Sequence, residues 1–395
     1  MAFIPVELHQ LVFDLLNFPS QIKYTCISSY ICHYVYITNL CDIDDKYLRE
    51  LDNTIIMQKK FHMVFTLKIN NYKLTKFNHM PYLKILRSNK YNIDQDCIKN
   101  LDLIELYVFD NSNITNVNHM KNLKILNASE KSGINQTGIQ NVDLIELYAS
   151  NNPNIINVNH MKSLKILDAS YNCGINQYGI KNLDLIKLRM DNNPYITDVN
   201  HMKSLKILNA SFNCGINQAG IKDLDLLELY ASDNPNIINV NHMKNLKILD
   251  ASYNSGINQA AIKKINLIEL YASRNANIIN INHMKKLKIL NASYKSGINQ
   301  TGIKDLNLIK LYADSNRNII NVNHMKSLKI LYASFECGIN QFGIENVDLI
   351  ELRASCNTNI INVNHMKSLK ILYAYNSGIN ESGIKDLDST KLYIS

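Results

Sequence analysis

Long apolar runs are missing from this sequence of 395 residues. None approaches the roughly 18 consecutive apolar residues that a membrane-spanning helix needs, so we expect no membrane partner. Residues 1–7 also lack the basic stretch and apolar core with which a secretory signal begins. Both absences favour an intracellular protein, located in the cytoplasm with the nucleus as a second compartment.

Cysteine is sparse and irregularly placed. The cysteines form no CxxC motif and no paired framework, which argues against a disulfide-stapled domain. Free thiols in a reducing compartment are the expected state. The eight positions are 26, 32, 41, 97, 173, 214, 337 and 356.

Motifs that carry catalysis are missing as well. The sequence contains no glycine-rich phosphate loop, no G-x-S-x-G elbow and no H-E-x-x-H zinc motif. We therefore predict that the chain is not an enzyme and uses no cofactor.

What is present is enough apolar material for a folded core. Hydrophobic residues make up 46% of the chain and charged residues 19%, a balance that argues against disorder. The formal net charge of +8 mildly favours an acidic partner or a nucleic acid. Columns of glutamate run beside the lysine columns and dilute this charge, so we expect that the partner is not a nucleic acid. We also expect the chain to be a monomer.

A tandem repeat decides the architecture. The triplet Asn-His-Met recurs with its histidine at 79, 119, 160, 201, 242, 283, 324 and 365, a spacing of 40 residues once and 41 thereafter. Each unit divides into two halves with the pattern L-x-x-L-x-(small or apolar)-x-x-N, as in residues 164–172 and 185–193. One such half cannot bury its apolar edge alone, so the halves are expected to stack as successive coils.

This pattern resembles the strand segment of leucine-rich repeats, and halves of 20 and 21 residues fall within that family's range. The resemblance covers residues 63–395 with about 16 coils. It implies an α/β fold: a solenoid with a curved parallel sheet and a short helical or irregular convex side. A small helical segment is expected at the N-terminus.

Side-chain directions follow from the alternation along a β-strand. Leu167 and Ala169 are expected to point inward, whereas Ile166, Asp168 and Ser170 are expected to point outward. The leucines of neighbouring coils would then form one continuous core.

The asparagine in the ninth place of the pattern is expected to satisfy backbone groups where the chain leaves the strand. This predicted ladder comprises Asn152, Asn172, Asn193, Asn213, Asn234, Asn254, Asn275, Asn316 and Asn357. Lys131, Lys295 and Glu336 stand in that place in three coils, which we expect to be less regular.

The histidines in register do not predict a metal site. Equivalent histidines lie two coils apart, about 10 Å at the usual strand spacing. Ligands of one zinc ion each lie about 2.1 Å from the metal, so neighbouring histidines cannot share it. We predict structural or surface histidines and no bound metal.

The first forty residues carry a helical pattern. Leu8, Leu11, Val12 and Leu15 fall on one face of a helix that Pro5 opens. We divide the chain into this segment, residues 1–40, a connector or N-terminal cap, residues 41–62, and the solenoid, residues 63–395.

Residues 4–8, with the sequence IPVEL, are followed by Phe13 and by Cys26 and Tyr30, and this order resembles the F-box. Ile4 stands where the F-box signature has leucine, and Tyr30 lies one place beyond its tryptophan. The resemblance implies docking to a Skp1-like adaptor of a cullin ubiquitin ligase, through Pro5, Leu8, Leu11, Val12 and Phe13. The alternative is a helical cap that seals the apolar end of the first coil, as solenoids require.

The second halves carry tyrosine or arginine at an outward strand position, and these residue types are enriched at binding hot spots. We predict that a client protein binds the concave face through Tyr107, Tyr148, Arg189, Tyr230, Tyr271, Tyr312 and Arg353. A tyrosine ladder that only stacks on the sheet is the alternative. The expected function is that of a substrate receptor of a Skp1–cullin ubiquitin ligase, with a scaffold unrelated to ubiquitin as the second hypothesis.

Overall fold

The computed structural model describes residues 64–69, 80–88 and 93–387, together with residues 9, 10, 12, 16, 20, 21, 39, 40, 77, 393 and 394. The chain divides into two compact units, Met1–Leu185 and Ile186–Ser395. The predicted N-terminal helical segment and the predicted connector lie almost wholly outside the described residues. Strand β1 pairs with β2, so sheet pairing includes residues 39 and 40.

The first unit contains a parallel sheet in which each strand pairs with the next one along the chain. Most of its strands have three or four residues, as leucine-rich coils require. The strands are β1 (Asn39–Leu40), β2 (Thr66–Ile69), β3 (Ile85–Ser88), β4 (Glu105–Tyr107), β5 (Ile125–Asn127), β6 (Glu146–Tyr148) and β7 (Ile166–Asp168).

The second unit continues the same pattern of parallel pairing between consecutive strands. In every pair from β8 to β17 the central leucine of one strand lies beside the central leucine of the next. The strands are β8 (Lys187–Arg189), β9 (Ile207–Asn209), β10 (Glu228–Tyr230), β11 (Ile248–Asp250), β12 (Glu269–Tyr271), β13 (Ile289–Asn291), β14 (Lys310–Tyr312), β15 (Ile330–Tyr332), β16 (Glu351–Arg353), β17 (Ile371–Tyr373) and β18 (Tyr393–Ile394).

Short helical turns follow the first-half strands from β3 to β17. The four-residue α-helices are α1 (Gln95–Ile98), α2 (Gln177–Ile180), α3 (Gln300–Ile303) and α4 (Glu381–Ile384). Single 3-10 turns take their place at Thr137–Ile139, Ala219–Ile221, Ala260–Ile262 and Gln341–Gly343. An asparagine often opens the turn, as where the Asn176 side chain accepts hydrogen bonds from the backbone N–H groups of Tyr178 and Gly179.

The core of each unit is a stack of identical apolar layers. In one coil of the second unit Leu229, Ala231, Ile237, Val240 and Met243 are all fully buried. The methionine of the Asn-His-Met triplet is therefore a core residue. Parallel three-residue strands, short turns and stacked leucine layers confirm the predicted leucine-rich-repeat solenoid.

The asparagine ladder exists at six of the nine places that were predicted to carry it. In the second halves the asparagine is buried, and Asn234 shows why: its Nδ2 donates to the carbonyls of Ala210 and Ile216, and its Oδ1 accepts from the N–H of Asn236. In the first halves Asn172, Asn213 and Asn254 are exposed.

A cysteine or serine one residue later takes over the buried position in the first halves. The Cys214 Sγ accepts a hydrogen bond from the N–H of Ile216 at 3.4 Å, and the Ser255 Oγ accepts one from Ile257 at the same distance. The expectation that Lys131, Lys295 and Glu336 mark irregular coils was wrong, because they occupy an exposed place that needs no amide.

Every coil from β4 onward turns at a residue with left-handed backbone, three residues after the strand ends. These residues are Asp110, Glu130, Asn151 and Tyr171 in the first unit. In the second unit they are Asn192, Phe212, Asp233, Tyr253, Arg274, Tyr294, Ser315, Phe335, Cys356 and Asn376. The inward and outward alternation stops at this turn, so Ser170 is only 1% exposed although strand alternation predicted an outward side chain.

Candidate binding face of the parallel sheet

The strands carry the predicted binding side chains on the side that faces away from the core. In β4 to β17 the central leucine of each strand is buried, and the residues before and after it are half-buried or exposed, except for the buried Asp168. Because the strands are in register, these flanking residues form two rows across each sheet. We call this solvent-facing side the sheet face.

The predicted tyrosines lie on the sheet face, and most of them are held by a glutamate of the same strand. The phenol oxygen donates to a carboxylate oxygen two residues earlier, at 2.8 to 3.1 Å. The pairs are Tyr107 with Glu105, Tyr148 with Glu146, Tyr230 with Glu228 and Tyr271 with Glu269. These rings therefore stand in fixed orientations.

The same contacts change the acidity of the phenols. Burial, followed by the hydrogen bond to the neighbouring glutamate, raises the pKa of Tyr148 and of Tyr230 to about 12. The pKa of Tyr107 and that of Tyr271 are also raised, with burial again the largest cause. At neutral pH these phenols are therefore uncharged hydrogen-bond donors, and any negative charge in each pair belongs to the glutamate.

The predicted tyrosine row is not continuous along most of the sheet face. In register, Tyr230 lies beside Asn209 on one side and Asp250 on the other, so equivalent rings are two strands apart. The intervening side chains cap the turn, as where the Asp250 carboxylate accepts a hydrogen bond from the N–H of Ser252. Arg189, also predicted for this row, is exposed and lies 3.7 Å from the carboxylate of Asp191.

Strands β14 to β17 break this alternation and bring the aromatic and basic side chains together. Here the row reads Tyr312, Tyr332, Arg353 and Tyr373 on four consecutive strands. The rings of Tyr312 and Tyr332 meet edge to face with centroids 4.7 Å apart. We call these four residues, together with Lys310, the β14–β17 cluster.

Cations are stacked on the rings of this cluster. The Arg353 guanidinium lies 4.2 Å from the Tyr332 centroid and 4.4 Å from that of Tyr373. The Lys310 ammonium lies 4.7 Å from the Tyr312 centroid. Such distances are within the roughly 6 Å range of cation–π attraction.

Glu351 fixes the central arginine of the cluster. The Arg353 Nε donates to the Glu351 carboxylate at 2.9 Å. Burial is the largest cause that raises the pKa of Tyr332 to about 12, and Glu351 is the second. The β14–β17 cluster is therefore preorganised, with rings, one guanidinium and one ammonium half-exposed at the surface.

Tyr312 and Arg353 were predicted from the sequence pattern, whereas Tyr332, Tyr373 and Lys310 were not. The signal was available, because the place after the second leucine in the first halves holds Asn127, Asp168, Asn209, Asp250 and Asn291 before it changes to tyrosine. In a repeat array, the positions that depart from the repeat are the ones that folding of the unit does not explain.

The predicted adaptor-binding residues lie mostly outside the described residues. Val12 is described, and it is helical with 44% of its surface exposed. Pro5, Leu8, Leu11 and Phe13 fall in the part of the chain that the structure does not describe.

The histidines of the repeats have a structural hydrogen bond. The Nε2 atom of His119 donates to the carbonyl of Ile98 at 2.9 Å, and that of His160 donates to Ile139 at 3.0 Å. The same bond recurs in the second unit between His242 and the Ile221 carbonyl. These histidines thus tie one half to the half before it, which agrees with the prediction of structural or surface histidines.

Three thiols of the repeats, those of Cys173, Cys214 and Cys337, are packed rather than reactive. Burial raises the pKa of Cys173, Cys214 and Cys337 to about 12, so almost no thiolate forms at neutral pH. Cys356 is exposed.

In the described part of the chain, no helix has the length and hydrophobicity to span a bilayer.

No family model and no curated protein matches this chain. Solved structures with similarity to it include the functional domain of InlJ from Listeria monocytogenes, at 17% identity and a TM-score of 0.41, covering 85% of this chain and 74% of that one. A leucine-rich-repeat protein of Leptospira interrogans is 16% identical with a TM-score of 0.38, covering 93% and 92%. The mouse RP105/MD-1 complex is 13% identical with a TM-score of 0.44, covering 86% and 69%. The assignment of this chain to the leucine-rich-repeat fold rests on its own strands, register and core.

Proposed function

We propose that this chain is a non-enzymatic protein-binding module and that its client protein binds the sheet face, anchored at the β14–β17 cluster. The supporting observation is the row Tyr312, Tyr332, Arg353 and Tyr373 on adjacent strands. Tyrosine and arginine dominate binding hot spots because they offer large apolar area together with hydrogen bonds. The glutamate-held rings of Tyr107, Tyr148, Tyr230 and Tyr271, together with Arg189, would extend the contact.

Preorganisation also supports this function. Side chains that are already held in place lose little conformational entropy when a partner binds. In the cluster, Arg353 is held by Glu351 and by two rings, while the backbone beneath it is part of a packed sheet. A partner would meet a fixed surface.

The test uses two substitutions that the fold itself offers. Changing Tyr332→Asn and Tyr373→Asn together gives β15 and β17 the residue that β9 and β13 carry at this place. We expect a client identified by crosslinking to the full chain to bind this variant about 2 kcal/mol more weakly or worse in calorimetric titration. An unchanged affinity, with an unchanged melting temperature, would remove the cluster from the binding surface.

We further propose that residues 1–40 dock a Skp1-like adaptor, so that the repeats present the client to a cullin ubiquitin ligase. The F-box-like order of Pro5, Leu8, Leu11, Val12 and Phe13 supports this proposal, together with the exposed helical position of Val12. The competing function is that of a scaffold unrelated to ubiquitin, in which the same residues only cap the first coil.

Substitution of Val12→Asp in the full chain separates these two functions. If the segment docks an adaptor, the variant should fail to bind a purified Skp1-like protein at micromolar concentration while its melting temperature stays the same. If the segment is only a cap, the wild-type chain binds no adaptor. The client-binding proposal stands or falls independently, because the β14–β17 cluster that anchors the client lies in the second unit.

A further inference from the structure

A column of exposed aromatic side chains runs beside the strands of the second unit. Each member lies three residues after a first-half strand, at the left-handed turn. Their side chains are 41% to 51% exposed, so the rings face solvent. We call Phe212, Tyr253, Tyr294 and Phe335 the aromatic column.

Folding alone does not account for these rings. The backbone φ is 60° at Phe212 and 58° at Tyr253, a region that is strained for a bulky side chain and is better filled by asparagine or glycine. Two of the three intervening coils carry the small residues Asp233 and Ser315 at the same turn, and the third carries Arg274. Two members of the column are tyrosines and two are phenylalanines, so the ring is kept while the hydroxyl group is not. This indicates that the ring is the functional part.

The chain itself shows what fits between two rings of the column. Arg274 lies on the coil between Tyr253 and Tyr294, at the equivalent turn. Its guanidinium carbon lies 5.5 Å from the Tyr253 centroid and 4.9 Å from the Tyr294 centroid. These distances match a cation at the midpoint of two coils, which are together about 10 Å wide.

The neighbouring gap also lies between two aromatic rings, which we call its walls. The residue at its base, which we call its floor, is different. Asp233 takes the place of Arg274 on the coil between Phe212 and Tyr253. Its short side chain is partly exposed, and its Oδ1 accepts one hydrogen bond, from the Asn254 Nδ2 at 3.0 Å. A carboxylate can accept several more hydrogen bonds, so the floor of this gap offers negative charge and acceptor capacity.

We propose that the gap formed by Phe212, Asp233 and Tyr253 is a receptor for an arginine side chain of a partner protein. The guanidinium lies between the two rings, as Arg274 does one gap further on, and donates to the Asp233 carboxylate. The site thus takes a basic segment of a partner. It lies apart from the β14–β17 cluster, so either surface can fail a test without the other.

Arginine rather than lysine is the expected guest. The planar guanidinium stacks on aromatic faces and donates two parallel hydrogen bonds to a carboxylate, whereas an ammonium is a compact, strongly hydrated charge. The gap between Tyr294 and Phe335 provides an internal comparison, since its floor is Ser315 and carries no charge.

The probe for the test is the peptide acetyl-Gly-Arg-Gly-amide. Its binding to the full chain is measured by saturation-transfer NMR. Peptides with lysine or citrulline in place of arginine serve as controls for charge and for shape. The arginine peptide should bind about fivefold more tightly than either control. Asp233→Asn, which puts a residue suited to left-handed backbone on the floor, should remove that preference.

Two further variants make the test specific to this gap. Asp233→Arg supplies the chain's own guanidinium, so binding of the probe should be lost. Ser315→Asp builds an equivalent floor between Tyr294 and Phe335, so the number of bound peptides should rise by one. Tyr332→Asn with Tyr373→Asn, which alters the client-binding cluster, should leave probe binding unchanged.

Clear outcomes would overturn the proposal. Equal binding of the arginine, lysine and citrulline peptides would show that the gap does not recognise a guanidinium. Retained binding in Phe212→Asn would show that the ring is not a wall of the site. Phe212→Asn keeps the backbone favourable, because Asn192 occupies the same left-handed turn one coil earlier.

Discussion

A single buried amide closes three hydrogen bonds in most of the described second-half coils. For Asn234 the partners are the carbonyls of Ala210 and Ile216 and the N–H of Asn236, at 2.8, 3.2 and 3.0 Å. The amide therefore ties its own turn to two carbonyls of the preceding half. The side chain is fully buried.

Replacement of Asn234→Ala leaves these three backbone groups without partners. Each buried polar group that loses its hydrogen bond costs about 1–3 kcal/mol, so we expect a loss of about 3 kcal/mol or more in urea unfolding. The control is Asn213→Ala, at the place that the sequence pattern treats as equivalent but that is exposed. That change should stay within about 0.5 kcal/mol. Equal losses in the two variants would contradict the structural role assigned to the buried amide.

At the level of the single coil, the sequence predicted the strands because the second leucine of the pattern and the small or apolar residue two places later must share one face. It also predicted that Tyr230 and its equivalents stand on the opposite face, and Tyr230 is half-buried beside the buried Leu229 in β10, as expected. These features depend only on alternation within a strand, so a short pattern is enough to place them.

The turns were harder to predict because they depend on where alternation ends. A left-handed residue such as Tyr171 reverses the local direction, and the first half needs one residue more than the second to reach the same buried place. Asn172 and Asn193 therefore look equivalent in the sequence, but Cys173 is the residue that is buried like Asn193. Composition at a single position cannot reveal this offset.

The clusters on the sheet face were also beyond the sequence. A solenoid brings residues 20 or 41 apart into contact, and whether two side chains stack depends on their rotamers. Arg353 between Tyr332 and Tyr373 is one such case, and Arg274 between Tyr253 and Tyr294 is another. What sequence can supply is the departure from the repeat that marks such places.

On the scale of the whole molecule, the folding unit is the pair of halves rather than the single coil. Hydrogen bonds run from one kind of half to the other: the His242 ring donates to the Ile221 carbonyl, and the Asn200 side chain donates to the Ala219 carbonyl. The amide of Asn234 likewise reaches back into the preceding half. A half that follows another of its own kind finds no such partners.

Deletion of residues 214–254 removes one complete pair and joins equivalent positions. We expect this chain to unfold cooperatively and to keep a melting temperature close to that of the full chain, because each remaining layer meets its usual neighbour. Deletion of residues 214–233 removes one half, so Asn200, Asn234 and His242 lose partners. Its unfolding free energy should fall by about 3 kcal/mol or more. Circular dichroism during urea unfolding measures both, and similar losses for the two deletions would refute the pairwise unit.

The 41-residue repeats, each a pair of halves, are nearly identical to one another, and this has a consequence for how the gene changes in length. Unequal recombination between such repeats in a gene adds or removes 41 codons at a time, and that is the increment that leaves every buried amide and ring histidine with a partner. Changes in the length of the chain should therefore be retained only in whole repeats. Where the first-half turn carries an aromatic residue, each step also adds or removes one ring of the aromatic column, so the number of contacts offered to a partner changes in integers while the coil that carries them stays the same.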